Sequence, residues 1–235
     1  MKDNYVELCD VVKEYKVGDT SIKAVDNLSF SVNEGEFVVV LGPSGAGKTT
    51  VLNLLGGMDT LTSGDIRVDG KSLSGLKAKE LTLYRRFDVG FVFQFYNLMP
   101  NLTALENVEL AVEICKDYIE PEEALKKVGL DERMKNFPSQ LSGGEQQRVS
   151  IARAIAKKPK ILLCDEPTGA LDYKTGKMIL KILTDICKVE KKTVIVVTHN
   201  AALKDIADRV IHIKNGAVVK TEINAEPKSI EEIEW

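Results

Sequence analysis

The stretch Gly42–Thr50, GPSGAGKTT, sits between an apolar, β-branched run at Phe37–Leu41 (FVVVL) and a helical pattern that begins at Thr50–Leu55. Strand, glycine-rich turn and helix in that order predict an α/β chain whose strands lie in a mostly parallel sheet. The turn has the Gly-x-x-x-x-Gly-Lys-Ser/Thr form of a phosphate-cradling loop. A helix N-terminus offers unpaired N–H groups and a positive dipole end to an anion. Gly42, Gly45 and Gly47 let the backbone turn where residues with side chains are excluded and let it approach phosphates closely. Lys48 is placed to reach the β- and γ-phosphates and the Thr49 hydroxyl to face Mg²⁺, with Ser44, Ala46 and Thr50 in the same nucleotide-binding stretch. Taken alone, the pattern also admits a structural glycine turn.

Two further segments end at the same predicted edge. Ile161–Cys164 is an apolar strand signal followed by Asp165 and Glu166, and open α/β sheets place ligand chemistry at the carboxyl ends of their strands. Asp165 is the expected acid on the Mg²⁺ side. If strand geometry persists, Glu166 points the other way and is placed to orient or deprotonate a water. Thr193–Thr198 (TVIVVT) reads as another buried parallel strand, and His199 follows it. His199 is either a satisfied structural histidine or a γ-phosphate contact, and its position on the common edge favours the second. His212, in the alternating run Val210–Ile213, reads as an ordinary half-exposed strand residue.

Ser142, Gly143 and Gly144 precede EQQRVSIARAIA, a helical stretch whose Val149, Ile151, Ala152 and Ile155 suit one buried face. A Ser-Gly-Gly helix start makes a second anion-binding N-terminus on the same chain.

The motif LSGGE at Leu141–Glu145 resembles the signature of ATP-binding cassette (ABC) ATPases, the nucleotide-binding subunits of ABC transporters. The motifs of that family occur in order from Tyr15 to His199. By this resemblance Gln94, in FVFQ, is the Q-loop glutamine, with a catalytic role and a place on the metal. Ala170–Asp172 form the D-loop, with Asp172 at the nucleotide; His199 is the switch histidine; Tyr15 stacks on adenine. The implied fold is a P-loop NTPase cassette: a mostly parallel core sheet, an N-terminal antiparallel β subdomain and an inserted helical subdomain. The single cassette domain spans residues 1–235, with the Q-loop, helical insertion and signature at about 85–158 and a short acidic tail at 222–235. The implied cofactors are ATP and Mg²⁺. The implied partners are an integral-membrane permease on a separate chain and a second copy of this chain, whose signature covers the γ-phosphate on the first copy's phosphate loop. The implied location is peripheral, on the cytoplasmic face of the cell membrane. The signature ends in Glu145 where glutamine is frequent, and Cys164 replaces a small apolar residue; neither touches the expected phosphate contacts.

The spelling FVFQFYNLMPNLTALENVELA, with LSGGEQQRVSIARAIA and DEPTGALD, is most similar to the branch that includes lipoprotein-release, macrolide-export and antimicrobial-peptide-resistance ATPases. That branch implies export or mechanical work across the membrane. The chain ends soon after its last predicted strand, which leaves no room for the regulatory domain some importers append. A soluble ABC ATPase acting in DNA repair or translation is the alternative. Repair members carry a long coiled-coil insertion and translation members carry tandem cassettes; this sequence has neither.

Composition agrees. A net charge of −3 gives no clustered basic face for nucleic acid. Lys157, Lys158 and Lys160 read as a solvated helix end. Cys9, Cys115, Cys164 and Cys187 show neither metal nor redox spacing and read as reduced thiols. No apolar run approaches the ~20 residues of a membrane helix, and Met1–Asp10 does not read as a signal peptide. Helical patterns at Lys77–Phe87 and Thr103–Lys127 bracket Gln94, strands are expected at Tyr5–Val12, Leu28–Val32 and Asp65–Asp69, and Phe95–Leu102 (FYNLMPNL) is either a buried loop or a contact surface.

Overall fold

The computed structural model describes residues 4–18 and 20–233. In chain order the elements are β1 (Val6–Val17), β2 (Thr20–Val32), β3 (Phe37–Leu41), α1 (Lys48–Leu55), β4 (Ser63–Val68), β5 (Lys71–Ser72), α2 (Ala78–Phe87) and β6 (Val89–Val92). Then follow α3 (Ala104–Val112), α4 (Pro121–Lys127), α5 (Gly143–Ala156), β7 (Ile161–Asp165), α6 (Tyr173–Lys188), β8 (Thr193–Thr198), β9 (Arg209–Lys214) and β10 (Ala217–Ile223).

Two sheets result, as expected of this fold class. An antiparallel sheet runs β2-β1-β4-β5, and a six-stranded sheet runs β10-β9-β3-β8-β7-β6. In the larger sheet β9, β3, β8, β7 and β6 are parallel and only β10 is antiparallel. Its central strands are apolar throughout because both faces are covered. Alternate residues of β3 serve different cores: Phe37 and Val39 pack with α5, α6 and β8, while Val38 and Val40 pack with α1 and the antiparallel sheet. Where β3 and β9 begin, Glu36 and Arg209 form a bidentate pair at 2.8 and 2.9 Å. Burial pushes the Glu36 carboxyl up, but Arg209 and Asn33 outweigh it and hold it below its ordinary value.

Two expectations need correction. The pattern Thr103–Lys127 forms two helices: α3 ends at Val112, and α4 starts afresh at Pro121, which keeps Glu120 out of the helical conformation, at φ -52° and ψ 133°. A residue before proline is pushed away from the helical region in this way, and proline itself is favoured at a helix start. Lys157 is not a solvated helix end: its ammonium is drawn inward to donate to Arg85 O at 3.0 Å and Val89 O at 2.7 Å, and burial lowers its pKa. Residues 230–233, after β10, lie against the body of the molecule, with Ile230 and Ile233 buried, Tyr173 Oη donating to Ile233 O at 3.0 Å and Lys177 Nζ donating to Glu231 O at 2.9 Å.

Candidate nucleotide site

Strand register fixes where the site forms. Leu41 of β3 pairs with Thr198 of β8, and Val197 of β8 pairs with Asp165 of β7. The phosphate loop, the Asp165–Glu166 pair and His199 therefore leave the sheet side by side at one edge.

The loop itself opens α1 two residues earlier than the hydrophobic pattern indicates. Gly47, at φ 95°, is its N-cap, which puts Lys48 and Thr49 in the first turn. Lys48 is buried, and its ammonium bridges the loop by donating to Gly42 O at 2.9 Å and Pro43 O at 3.1 Å. The three glycines divide the work. A β-carbon on Gly42 would lie 2.2 Å from Ile213 O, and one on Gly47 would lie 2.2 Å from Ala24 O, so both are required by close packing against β9 and β2. Gly45, at φ 77°, would place a β-carbon in open space, so its left-handed backbone and not packing calls for glycine. Ser44 and Gly45 are exposed, Ala46 is buried, and Thr50 is half-buried.

Across from the loop, Thr49 Oγ1 donates to Asp165 Oδ1 at 3.3 Å. Burial raises the Asp165 pKa, Glu166 adds to the rise, and Thr49 and Lys48 oppose it. A half-buried carboxylate beside a second carboxylate and a threonine hydroxyl is a donor set suited to a hard divalent cation with phosphate oxygens completing the shell. Among the described residues no group of three or more His, Cys, Asp or Glu could hold a metal without such help.

Glu166 does not continue the strand. At φ 45° it turns left-handed while its N–H donates to Val197 O at 2.9 Å. The carboxylate is then held from β8: Thr198 Oγ1 donates to Oε2 at 3.0 Å, and His199 Nδ1 lies 2.9 Å from Oε1. A pocket of ≈ 380 Å³ opens over Glu166, Gly169, His199 and Asn200. Sequence reasoning does not single out Thr198; a threonine ending a buried strand just before the histidine is the signal that marks it.

The other predicted residues lie around this centre. Gln94 follows β6, with Nε2 3.9 Å from where a β-carbon on Gly169 would stand, and it makes no hydrogen bond to Thr49 or Asp165 among the described residues. Tyr15 is exposed near the end of β1; its Oη donates to Asp59 Oδ2 at 2.7 Å, and the Lys13 ammonium sits 4.8 Å from the ring centroid. Asp172 is the N-cap of α6, accepting from Thr175 N at 3.1 Å.

The signature forms a reciprocal cap, in which each end of the turn accepts from the other's backbone N–H. Ser142 Oγ accepts from Glu145 N at 3.3 Å, while Glu145 Oε2 accepts from Ser142 N at 2.8 Å. Arg133 Nε then donates to Glu145 Oε1 at 3.1 Å, so the glutamate found in place of glutamine is used as a charge. Gly144 is buried against α6, and a β-carbon there would meet Thr175 Cγ2 at 2.2 Å. No hydrogen bond joins Ser142 or Gly144 to residues 42–50 among the described residues.

The family profile described as ABC transporter matches residues 25–169. The chain belongs to that family. It is an ATP-hydrolysing ABC cassette, as the resemblance implied. An ABC transporter ATP-binding protein of Methanocaldococcus jannaschii, MJ0796, is 46% identical over 229 residues, covering 92% of this chain and 96% of that protein. The Bacillus subtilis ABC transporter ATP-binding protein YknY is 41% identical over 91% of this chain and 95% of its own. The chain spans half the length of another relative, the putative ABC transporter ATP-binding protein MG065 of Mycoplasma genitalium, at 42% identity. Among solved structures, the dimeric post-hydrolysis state of the MJ0796 cassette bound to ADP and Pi superposes with a TM-score of 0.87 at 44% identity, covering 93% of this chain and 98% of that one.

Proposed function

We propose that this ABC cassette drives export or mechanical work through a permease carried on a separate chain, and that two copies close around two ATP molecules to do so. The observation that carries the reading is the division of the anion-binding elements. Lys48, Thr49, Asp165, Glu166 and His199 gather at one sheet edge, whereas the capped Ser142–Gly144 helix start makes no hydrogen bond to that loop among the described residues. A second copy would bring its helix start to the first copy's γ-phosphate. The dimeric MJ0796 cassette gives precedent in a relative.

On this reading the loop backbone from Ser44 to Thr50 and the Lys48 ammonium hold the phosphates, and Tyr15 supports the base on its ring face. Thr49, Asp165 and Gln94 hold Mg²⁺, which supplies charge neutralisation at the phosphate oxygens. Glu166 accepts a proton from the attacking water, its carboxylate aimed by Thr198 and His199. Positioning and charge stabilisation then account for most of the rate. Asp172 and Gln94 respond to the partner copy and to the permease.

A groove of ≈ 390 Å³ lined by Phe93, Leu110, Ala111, Ile114 and Lys157 is the proposed seat of the permease. Leu98 packs against the helical core instead of lining the groove, and the exposed Leu110 and Ile114 are the side chains that probe it. No helix among the described residues is long and apolar enough to cross a membrane. Attachment to the inner face of the cell membrane would then come through the groove. The resemblance to the lipoprotein-release, macrolide-export and peptide-resistance branch favours export.

The test is capture of membrane proteins by tagged Glu166→Gln chain, with ATP and Mg²⁺, from detergent-solubilised native membranes. A co-purifying multi-span protein that is lost with Leu110→Asp supports the proposal. Recovery of only ribosomal or DNA-associated proteins would replace it with the soluble class.

A further inference from the structure

The helix that carries the signature is fastened to the segment after Gln94 by one arginine. Arg153, near the end of α5, donates through Nη1 to Asn97 O at 2.5 Å and through Nη2 to Tyr96 O at 2.8 Å. Both acceptors belong to left-handed residues that are not glycine, Tyr96 at φ 60° and Asn97 at φ 50°. Consecutive residues of this kind store strain and persist only where their surroundings hold them. The guanidinium is half-buried, and among the described residues no carboxylate pairs with it. A charge sunk beside neutral carbonyls is an expensive cap unless the geometry of a two-pronged donor is needed.

Tyr96 is engaged a second time. A β-carbon on Gly143 would stand 2.8 Å from the Tyr96 hydroxyl, so the ring reaches back to the signature end of the same helix. Tyr96 therefore touches α5 at Arg153 through its backbone and at Gly143 through its side chain. Asn97 and Arg153 also line the groove beside Phe93, Leu110 and Ile114. One turn of chain thus has one side in the groove and the other on the signature helix.

We propose that Arg153 is a positioning residue for ATP-driven closure: by clamping the Tyr96–Asn97 turn to α5, it makes the groove wall and Ser142–Gly144 move as one body. A segment seated in the groove that binds better to one arrangement of this turn shifts the orientation of the signature by that difference in affinity. The inference rests on the dimer reading given above.

The experiment measures dimerisation of purified Glu166→Gln chain in ATP and Mg²⁺ by analytical ultracentrifugation, and nucleotide binding by a trinitrophenyl-ATP titration. It compares the parent with Arg153→Met, Arg153→Lys and the pair Arg153→Met, Asn97→Gly. Arg153→Met is expected to leave nucleotide affinity unchanged and to weaken the dimer about tenfold or more, with Arg153→Lys between the two. Asn97→Gly is expected to restore the melting temperature, measured alongside, but not the dimer, because glycine takes the left-handed conformation without strain yet cannot replace the two hydrogen bonds that tie the turn to α5. An arginine that merely stabilises the fold would have both restored together. Undiminished dimerisation of Arg153→Met, or a dimer that Asn97→Gly restores along with the melting temperature, overturns the inference while the dimer reading stands. A parent that stays monomeric in ATP removes the dimer reading, and the inference falls with it.

Discussion

His199 Nδ1 lies 2.9 Å from Glu166 Oε1, although 33 residues separate them in sequence. The contact exists because β7 and β8 end in register and because Glu166 turns back at φ 45° to meet the histidine. Glu166→Gln keeps the shape and the Thr198 bond but removes the base. Its expected turnover is lower by roughly 10²–10⁴-fold with ATP binding retained. His199→Ala leaves the carboxylate held by Thr198 alone, and its expected loss is smaller than that of Glu166→Gln. Steady-state phosphate release and a binding titration on the same preparations check both; equal turnover of Glu166→Gln and the parent would end the general-base assignment.

Gly144 is constrained by packing inside its own chain. Adding the alanine methyl forces Thr175 Cγ2 from a position 2.2 Å away. Overpacking of this kind should make Gly144→Ala cost about 1–3 kcal/mol of stability. Thr175→Ser removes the colliding methyl while keeping a hydroxyl near the start of α6. The double variant should regain both melting temperature and ATP-dependent dimerisation. A double variant that melts like the parent yet stays monomeric would mean that Gly144 is needed bare for the nucleotide as well.

Gln147 is fully buried on α5, and neither its amide oxygen nor its nitrogen has a hydrogen-bond partner among the described residues. Burying such a group unpaired costs about 1–3 kcal/mol, so Gln147→Met, which replaces it with an apolar chain, should stabilise the isolated chain by a similar amount. Chemical denaturation at fixed pH is the measurement. A destabilised Gln147→Met would show that the amide is satisfied in solution.

Asp65 carries the clearest acid-dependent contribution on the antiparallel sheet. Ser72 Oγ and Ser74 Oγ donate to its Oδ1 at 2.5 and 2.6 Å, Arg67 Nε donates to Oδ2 at 2.7 Å, and these hold the carboxyl at about 2. The unfolded value is near about 3.9. A folded pKa below the unfolded one means that the stabilisation is present above the unfolded value and is lost as pH falls through the folded value. The parent should therefore lose melting temperature more steeply than Asp65→Asn between roughly pH 4 and pH 2. Parallel curves for the two proteins would show that the carboxylate is not selectively stabilised.

Local signals in the sequence make much of this legible. The runs Phe37–Leu41, Ile161–Cys164 and Thr193–Thr198 are apolar on both faces, which left little but buried parallel strands, and the residues that follow them meet at one edge. What escaped depends on partners far along the chain. That Gly42 and Gly47 are needed for packing requires knowing where the carbonyls of Ile213 and Ala24 arrive. The inward turn of Lys157 depends on carbonyls at Arg85 and Val89, and the clamp of Arg153 on a left-handed turn that no periodicity reveals. The break before α4 was legible in Pro121, but the helical pattern on either side concealed it.

The alternation along β3 bears on how such a chain can vary. Phe37 and Val39 belong to one interior and Val38 and Val40 to the other, with the phosphate loop starting one residue beyond Leu41. Deleting a single residue here would exchange the occupants of both interiors and pull Gly42 out of its fit against Ile213, three faults from one lost codon. Exchanges among valine, isoleucine and leucine at the same places disturb only one interior each. Drift at β3 is thus open in side-chain identity and closed in length, and a library built on this cassette should randomise the strand without ever shortening it.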